Sequence, residues 1–285
     1  MKTIFVLSRT TNGKLVESYC DYHHMIALSK YETCELNEID YQSDNVYIWS
    51  SHIGNPTQVF MHAEAKSRKC KLVFWNIEWP NWIDGQLVGF EGSDYLGIEA
   101  HVDEMWVSDK YILSLLHRFK PDVAHKIKFV FLGGHKDFGE QSDAHREIKY
   151  DFTHFMYITG IRGQKFHLLQ EHGFRMAPNG YGSERLEGLL HSRWGLHLHQ
   201  NSLACISPQR FMLFASYCLP IITDYCGDPS PYMVFQDALI HFDPRKSSVM
   251  NKEMRREAVE YNYYLVTEKC TFRKEVDRRV AGLWT

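Results

Sequence analysis

SPQRFMLFASYCLPIITD, residues 207–224, carries the fold in one line. Pro208 suits the first position of a helix, where a missing N–H leaves nothing unsatisfied. Phe211 to Tyr217 continue as an apolar helix, and Leu219–Thr223 then reads as a buried strand that delivers Asp224 to its carboxyl end. A helix start offers free backbone N–H groups and the positive end of a dipole, and Arg210 sits in its first turn. A guanidinium there adds a two-pronged hold on phosphate. Helix followed by buried strand is half of a βαβ unit, and ligands of open α/β sheets bind at the carboxyl edge.

The same rhythm extends in both directions. Upstream, Phe155–Thr159 predicts a strand, Gln164–His172 a helix, Phe174–Ala177 a strand, Ser183–His191 a helix and Leu196–His199 a strand. Downstream, two helices are expected, about Lys252–Val266 and Phe272–Leu283. In the first half the strands are Thr3–Leu7, Val46–Trp49, Leu72–Ile77, Met105–Val107 and Lys128–Leu132. Val16–Lys30, Thr57–Ser67 and Asp109–His117 have helical spacing between them. The polar stretch His135–Tyr150 lacks apolar periodicity and reads as a linker. Two α/β domains are therefore expected, residues 1–145 and 150–285.

Composition excludes several classes. The chain has 285 residues, 44% hydrophobic and 24% charged, which is the make-up of a folded globular protein. Its net charge of −3 lacks the basic excess of a dedicated nucleic-acid binder. Seven scattered cysteines without a CxxC pair read as reduced thiols, which suits a cytoplasmic protein. The apolar run at the N-terminus is short and reads as a strand rather than a signal peptide, and no stretch is long enough to span a membrane. Neither GxxxxGK[ST], a GxGxxG after a strand, nor GxSxG occurs, so a P-loop, an NAD site and the usual hydrolase elbow are unsupported. His23-His24 and His197-x-His199 have no third ligand at a familiar metal spacing, and these read as core or cleft polar groups.

The stretch 207–224 resembles the donor-binding segment of GT-B glycosyltransferases, in particular the branch of the CgeB-like proteins and the group 1 glycosyl transferases. Ser207, Pro208, Arg210 and Pro220 match that pattern, as does the apolar strand after them. Two positions depart: the acidic residue that commonly holds the donor ribose falls at Leu213, and the usual glycine falls at Cys218. Tyr157–Lys165 resembles the first strand, loop and helix start of the family's C-terminal domain, where an Arg and a Lys often hold the donor diphosphate. Gly182, Arg185, His199, Gln200 and Asn201 resemble positions facing the cleft. The resemblance implies an α/β GT-B fold of two Rossmann-like domains facing across a cleft, with an N-terminal acceptor side and a C-terminal nucleotide-sugar side.

It also implies a function. Arg162, Lys165, His199, Asn201, Ser207, Pro208, Arg210 and Asp224 become the expected donor-binding residues. Asn12 and Gly13 fall in the glycine loop that the family places between donor and acceptor. The expected activity is transfer from a nucleotide-diphosphate sugar, metal-independent because no DxD motif occurs, with retention of configuration and no resident cofactor. Glu78 follows the strand Leu72–Ile77 beside Trp75, Trp79 and Trp82, where desolvation suits a general base; a structural carboxylate is the plain alternative. A solvated helix start is likewise the plain alternative for Arg162 and Lys165. The acceptor is unidentified. Some small proteins of this type are phage enzymes acting on hydroxymethylated DNA bases, and Lys66, Arg68, Lys69, Lys71 and the stretch 118–128 keep a DNA acceptor open. A non-catalytic GT-B-like binding protein is the other alternative, favoured by Leu213.

Overall fold

The computed structural model describes residues 1–7, 20–50, 68–76, 80–83, 86–90, 101–139, 146–156, 158–180, 183–199, 208–224, 239–242 and 256–284. The chain divides into two compact units, Met1–Leu132 with Phe272–Thr285, and Gly133–Thr271.

The first unit runs β1 (Thr3–Val6), α1 (Cys20–Leu28), β2 (Glu32–Cys34), β3 (Val46–Ser50), β4 (Lys71–Asn76), β5 (Pro80–Ile83), β6 (Gln86–Phe90), β7 (Glu104–Val107), α2 (Lys110–Phe119) and β8 (Ile127–Phe129). Six strands form one parallel sheet in the order β2-β1-β3-β4-β7-β8, while β5 and β6 pair antiparallel with each other. The central strands VYIWS and LVFWN are buried without alternation, as expected for strands covered on both faces. Asp109 caps α2 by accepting from the N–H groups of Tyr111 and Ile112, and that helix buries Ile112 and Leu116 against the sheet. The predicted helix Thr57–Ser67 lies outside the described residues. Strand β2 was not expected: Glu32-Thr33-Cys34 is short and half polar, and only pairing with β1 makes it a strand.

The second unit runs β9 (Tyr150–Thr153), α3 (Gly160–Glu171), α4 (Ser183–His191), β10 (Ser192–His197), α5 (Pro208–Ser216), β11 (Ile221–Asp224), β12 (Leu239–Phe242) and α6 (Arg256–Tyr264), which widens into a π-type turn over Leu265–Lys269. Its parallel sheet has the order β12-β11-β10-β9, and Met176 adds one further bridge beyond Phe152. The strand expected over Phe155–Thr159 lies earlier, at Tyr150–Thr153. Pairing of Phe152 with Trp194 sets that register, and Met156 and Ile158 reach the core from the loop that follows.

Two close fits hold α5 in place. A Cβ on Gly195 of β10 would come 2.5 Å from the Phe214 ring, so the glycine lets the helix lie on the strand. After α5 the chain turns through Cys218 at φ +50, with Cys218 N–H donating to Ala215 and Leu219 N–H to Phe214. This is a left-handed helix end, the geometry that a glycine usually supplies.

The final helix, α7 (Phe272–Ala281), was read from sequence as part of the second domain, but it packs in the first unit. Phe272 is fully buried, stacked on Trp75 at 5.5 Å and surrounded by Phe5, Tyr22 and Tyr31. Two turns later Arg279 pairs with the buried Glu104, which also accepts from the Trp106 indole at 2.8 Å. Helical periodicity alone could not reveal which sheet this apolar stripe would cover.

Candidate functional site

Strands β10 and β11 lie side by side with His197 level with Thr223, so their carboxyl ends open at one height. Asp224 is the last residue of β11, and His199 stands two residues beyond β10. Both are buried, and they are joined twice: the His199 backbone N–H donates to Asp224 Oδ1 at 2.9 Å, and His199 Nδ1 lies 2.5 Å from the same oxygen. Lys165, from the second turn of α3, donates to Asp224 Oδ2 and keeps about a quarter of its side chain exposed.

The protonation states follow. Burial raises the pKa of Asp224, but hydrogen bonds from His199, the charge of His199 and a hydrogen bond from Lys165 outweigh it, and the net shift is downward. An ionised carboxylate only accepts, so Nδ1 of His199 carries a proton. The other ring nitrogen, Nε2, is buried with no hydrogen-bond partner among the described residues.

A second layer surrounds this group. Arg210, in the first turn of α5, donates from Nε to the Phe155 carbonyl at 2.9 Å and from Nη1 to His197 Nδ1 at 3.1 Å. A guanidinium has no acceptor, so His197 presents a bare Nδ1 to it. The His197 and His199 rings meet edge to face at 4.8 Å. Arg162 is buried and donates from Nε to the Leu198 carbonyl at 2.9 Å, tying α3 to the end of β10. His154, beside Phe166, has its pKa lowered to about 4 by burial first and by the charge of Arg210 second, so it is neutral near pH 7.

Of the residues expected at a donor site, Lys165, His199 and Asp224 are thus in direct contact. Arg210 and Arg162 flank them through His197, Phe155 and Leu198, and Pro208 opens α5. Leu213, where the family pattern has an acid, is buried. Asn12, Gly13, Glu78, Asn201 and Ser207 lie outside the described residues. The roles of His154, His197 and the Phe155 carbonyl were not legible in the sequence. The spacing of His197 and His199 was the one available signal, since residues two apart at a strand end share a face. Among the described residues, no group of three His, Cys, Asp or Glu side chains is placed to hold a metal. No described helix is long and apolar enough to cross a membrane.

The arrangement can receive an anion. Two cations and the N–H ends of α3 and α5 converge on the carboxyl edge of a parallel sheet. Comparison with known proteins agrees at the level of fold. No family model matches the chain, and no curated protein matches its sequence. Among solved structures, it is similar to a glycosyltransferase from Rickettsia africae, with TM-score 0.60, 8% identity, and 99% of this chain and 97% of that chain covered. The lipopolysaccharide outer core galactosyltransferase WaaB gives TM-score 0.57 at 10% identity, with 99% of both chains covered. TarM gives TM-score 0.57 at 10% identity over 88% of this chain and 57% of its own. The chain likewise spans 57% of the matched chains in the accessory secretory protein and GtfA/B structures. With two parallel-sheet α/β units and these neighbours, the chain has the GT-B fold.

Proposed function

We propose that this chain is a glycosyltransferase whose second unit holds a nucleotide-diphosphate sugar at the carboxyl ends of β10 and β11. The observation that carries the reading is the contact of Asp224 with both Lys165 and His199, flanked by Arg210 at the start of α5. Solved neighbours of the same fold include the pneumococcal O-GlcNAc transferase GtfA in complex with UDP and GlcNAc, and Anabaena HepE in complex with UDP. The match of Ser207, Pro208, Arg210 and Pro220 supports placing the chain near the CgeB-like branch.

In this reading the sugar's bond to the diphosphate breaks as charge builds on the leaving phosphate, and fixed cations stabilise that charge without a metal. Lys165 and Arg210 serve as those cations, with Asn201 and Ser207 as further contacts to the donor. Glu78 acts on the acceptor side as the base or an ion-pairing group, with Asn12 and Gly13 as further acceptor-side residues. Retention of configuration is expected. The acceptor is a glycan, lipid or protein, with a DNA base as the alternative.

Leu213 favours a second reading. A buried leucine cannot hold a ribose hydroxyl, which suits a non-catalytic nucleotide-binding protein. One experiment separates the two. The protein is screened for thermal stabilisation by UDP and GDP, because a ligand of the folded state raises apparent stability. It is then incubated with a panel of nucleotide sugars. Stabilisation with nucleoside diphosphate release supports the transferase, stabilisation without release supports the binding protein, and neither effect refutes both.

A further inference from the structure

The side chain of His199 is wholly buried, and the fold uses only one of its two ring nitrogens. Nδ1 lies 2.5 Å from Asp224 Oδ1, and the backbone N–H of the same residue donates to that oxygen at 2.9 Å. Two bonds to one buried carboxylate fix the position and direction of the ring. Nε2, on the side of the ring away from Nδ1, is buried with no hydrogen-bond partner among the described residues. Folded proteins leave few buried polar atoms unpaired, so this one calls for a partner. The polar groups around it are engaged elsewhere: Lys165 with Asp224, Arg162 with the Leu198 carbonyl, and Arg210 with the Phe155 carbonyl and His197.

The chemistry of that partner follows from the ring. Nδ1 keeps its proton toward Asp224, so Nε2 accepts if the ring is neutral and donates if the ring is charged. A phosphate oxygen only accepts and suits the charged ring alone. An N–H group only donates and suits the neutral ring alone. A hydroxyl both donates and accepts, so Nε2 can bond it in either state. A nucleotide sugar carries hydroxyls on the ribose and on the transferred sugar, one group on each side of the diphosphate.

Resting on the donor-site reading above, we infer that His199 Nε2 bonds a hydroxyl of the nucleotide sugar, while Asp224 holds the ring in place for it. The diphosphate falls to Lys165 and Arg210, and a hydroxyl beside it to His199. Nε2 is closed to solvent in the free protein, so the groups covering it move aside as the hydroxyl arrives. The atom loses its water on folding rather than on binding. The hydroxyl therefore recovers the cost of leaving it unpaired, about 1–3 kcal/mol or roughly 5- to 150-fold in Kd.

Titration calorimetry of the whole protein tests this with UDP, GDP, their 2′- and 3′-deoxy forms, UDP-glucose, UDP-N-acetylglucosamine and GDP-mannose. Two variants divide the ring nitrogens between them. The amide of His199→Asn reaches as far as Nδ1 and can bond Asp224, whereas that of His199→Gln reaches as far as Nε2. His199→Asn should bind the ligand carrying the hydroxyl about 5- to 150-fold more weakly than wild type, and His199→Gln should recover much of the loss. If the hydroxyl belongs to the ribose, the plain nucleotide shows this loss. One deoxy form then binds wild type weakly and costs His199→Asn nothing further. If it belongs to the transferred sugar, nucleotides and deoxy forms bind wild type and His199→Asn alike, and only an intact nucleotide sugar tells them apart. A merely structural His199 gives the reverse order, with normal binding by asparagine and loss by glutamine, and overturns the inference. So does a loss of nucleotide binding in His199→Asn when wild type binds both deoxy forms as tightly as the parent, which marks a phosphate contact. Should His199→Asn fail to fold, His199→Gln still decides: it should keep the discrimination that wild type shows for the hydroxyl, and losing it overturns the inference. Equal binding of every ligand by wild type and both variants overturns the inference and leaves the donor site intact. Failure of wild type to bind any of them overturns the two together.

Discussion

Asp224→Ala should be the most damaging single change in the second unit, and its cost can be worked from the contacts. The carboxylate accepts from the His199 N–H, from His199 Nδ1 and from Lys165. Lys165 is partly exposed, so its share is that of a near-surface pair, about 1 kcal/mol or less. The two His199 donors are buried, and each left unpaired costs roughly 1–3 kcal/mol. The sum centres near 3–5 kcal/mol, the usual loss when one partner of a buried ion pair is removed. Asp224→Asn keeps an oxygen for His199 and loses only the charge and the Lys165 contact, so about 1–2 kcal/mol is expected. Urea unfolding of both variants at pH 7 measures this. The pH dependence adds a signature. The folded carboxyl holds its proton less tightly than the ordinary 3.8 of an aspartate, so its stabilisation is complete above that value and is lost as pH falls through the folded pKa. The gap between wild type and Asp224→Ala should narrow below about pH 3.8. An alanine variant within 1 kcal/mol of wild type, or an asparagine variant as costly as alanine, would refute the assignment.

Arg210→Ala should weaken nucleoside-diphosphate binding by roughly 1.5–3 kcal/mol, read by calorimetry as a 10- to 150-fold rise in Kd; unchanged affinity removes Arg210 from the site. If the proposed function holds with side chains rather than a metal stabilising the leaving group, glycosyl transfer should survive excess EDTA, and recovery by Mn²⁺ after complete loss would contradict that. Phe272→Ala should cost about 3–5 kcal/mol in denaturant unfolding, since it empties the aromatic cluster beside Trp75. Gly195→Ala should cost about 1–3 kcal/mol by pushing Phe214 off the strand, and normal stability would mean that α5 shifts freely.

The sequence by itself determined many of the elements and named several residues of the candidate site. Apolar runs bounded by polar turns placed the strands at β1, β3, β4, β7 and β11 within a few residues, because a strand buried on both faces leaves no freedom in composition. Pro208, Arg210 and Asp224 were legible for a related reason: one helix and one strand, joined by a short turn, carry all three to the same edge. Tertiary structure alone decided three things. It assigned α7 to the first unit, because the stripe led by Phe272 fits the hollow among Phe5, Tyr22 and Trp75, and periodicity names no partner. It moved β9 upstream, because strand register depends on the neighbour across the ladder. It also joined Lys165 to Asp224 across 59 positions and left His199 Nε2 bare beside them. Spacing in the chain records which residues are consecutive, whereas the charge state of a buried group depends on what folding brings within hydrogen-bond reach.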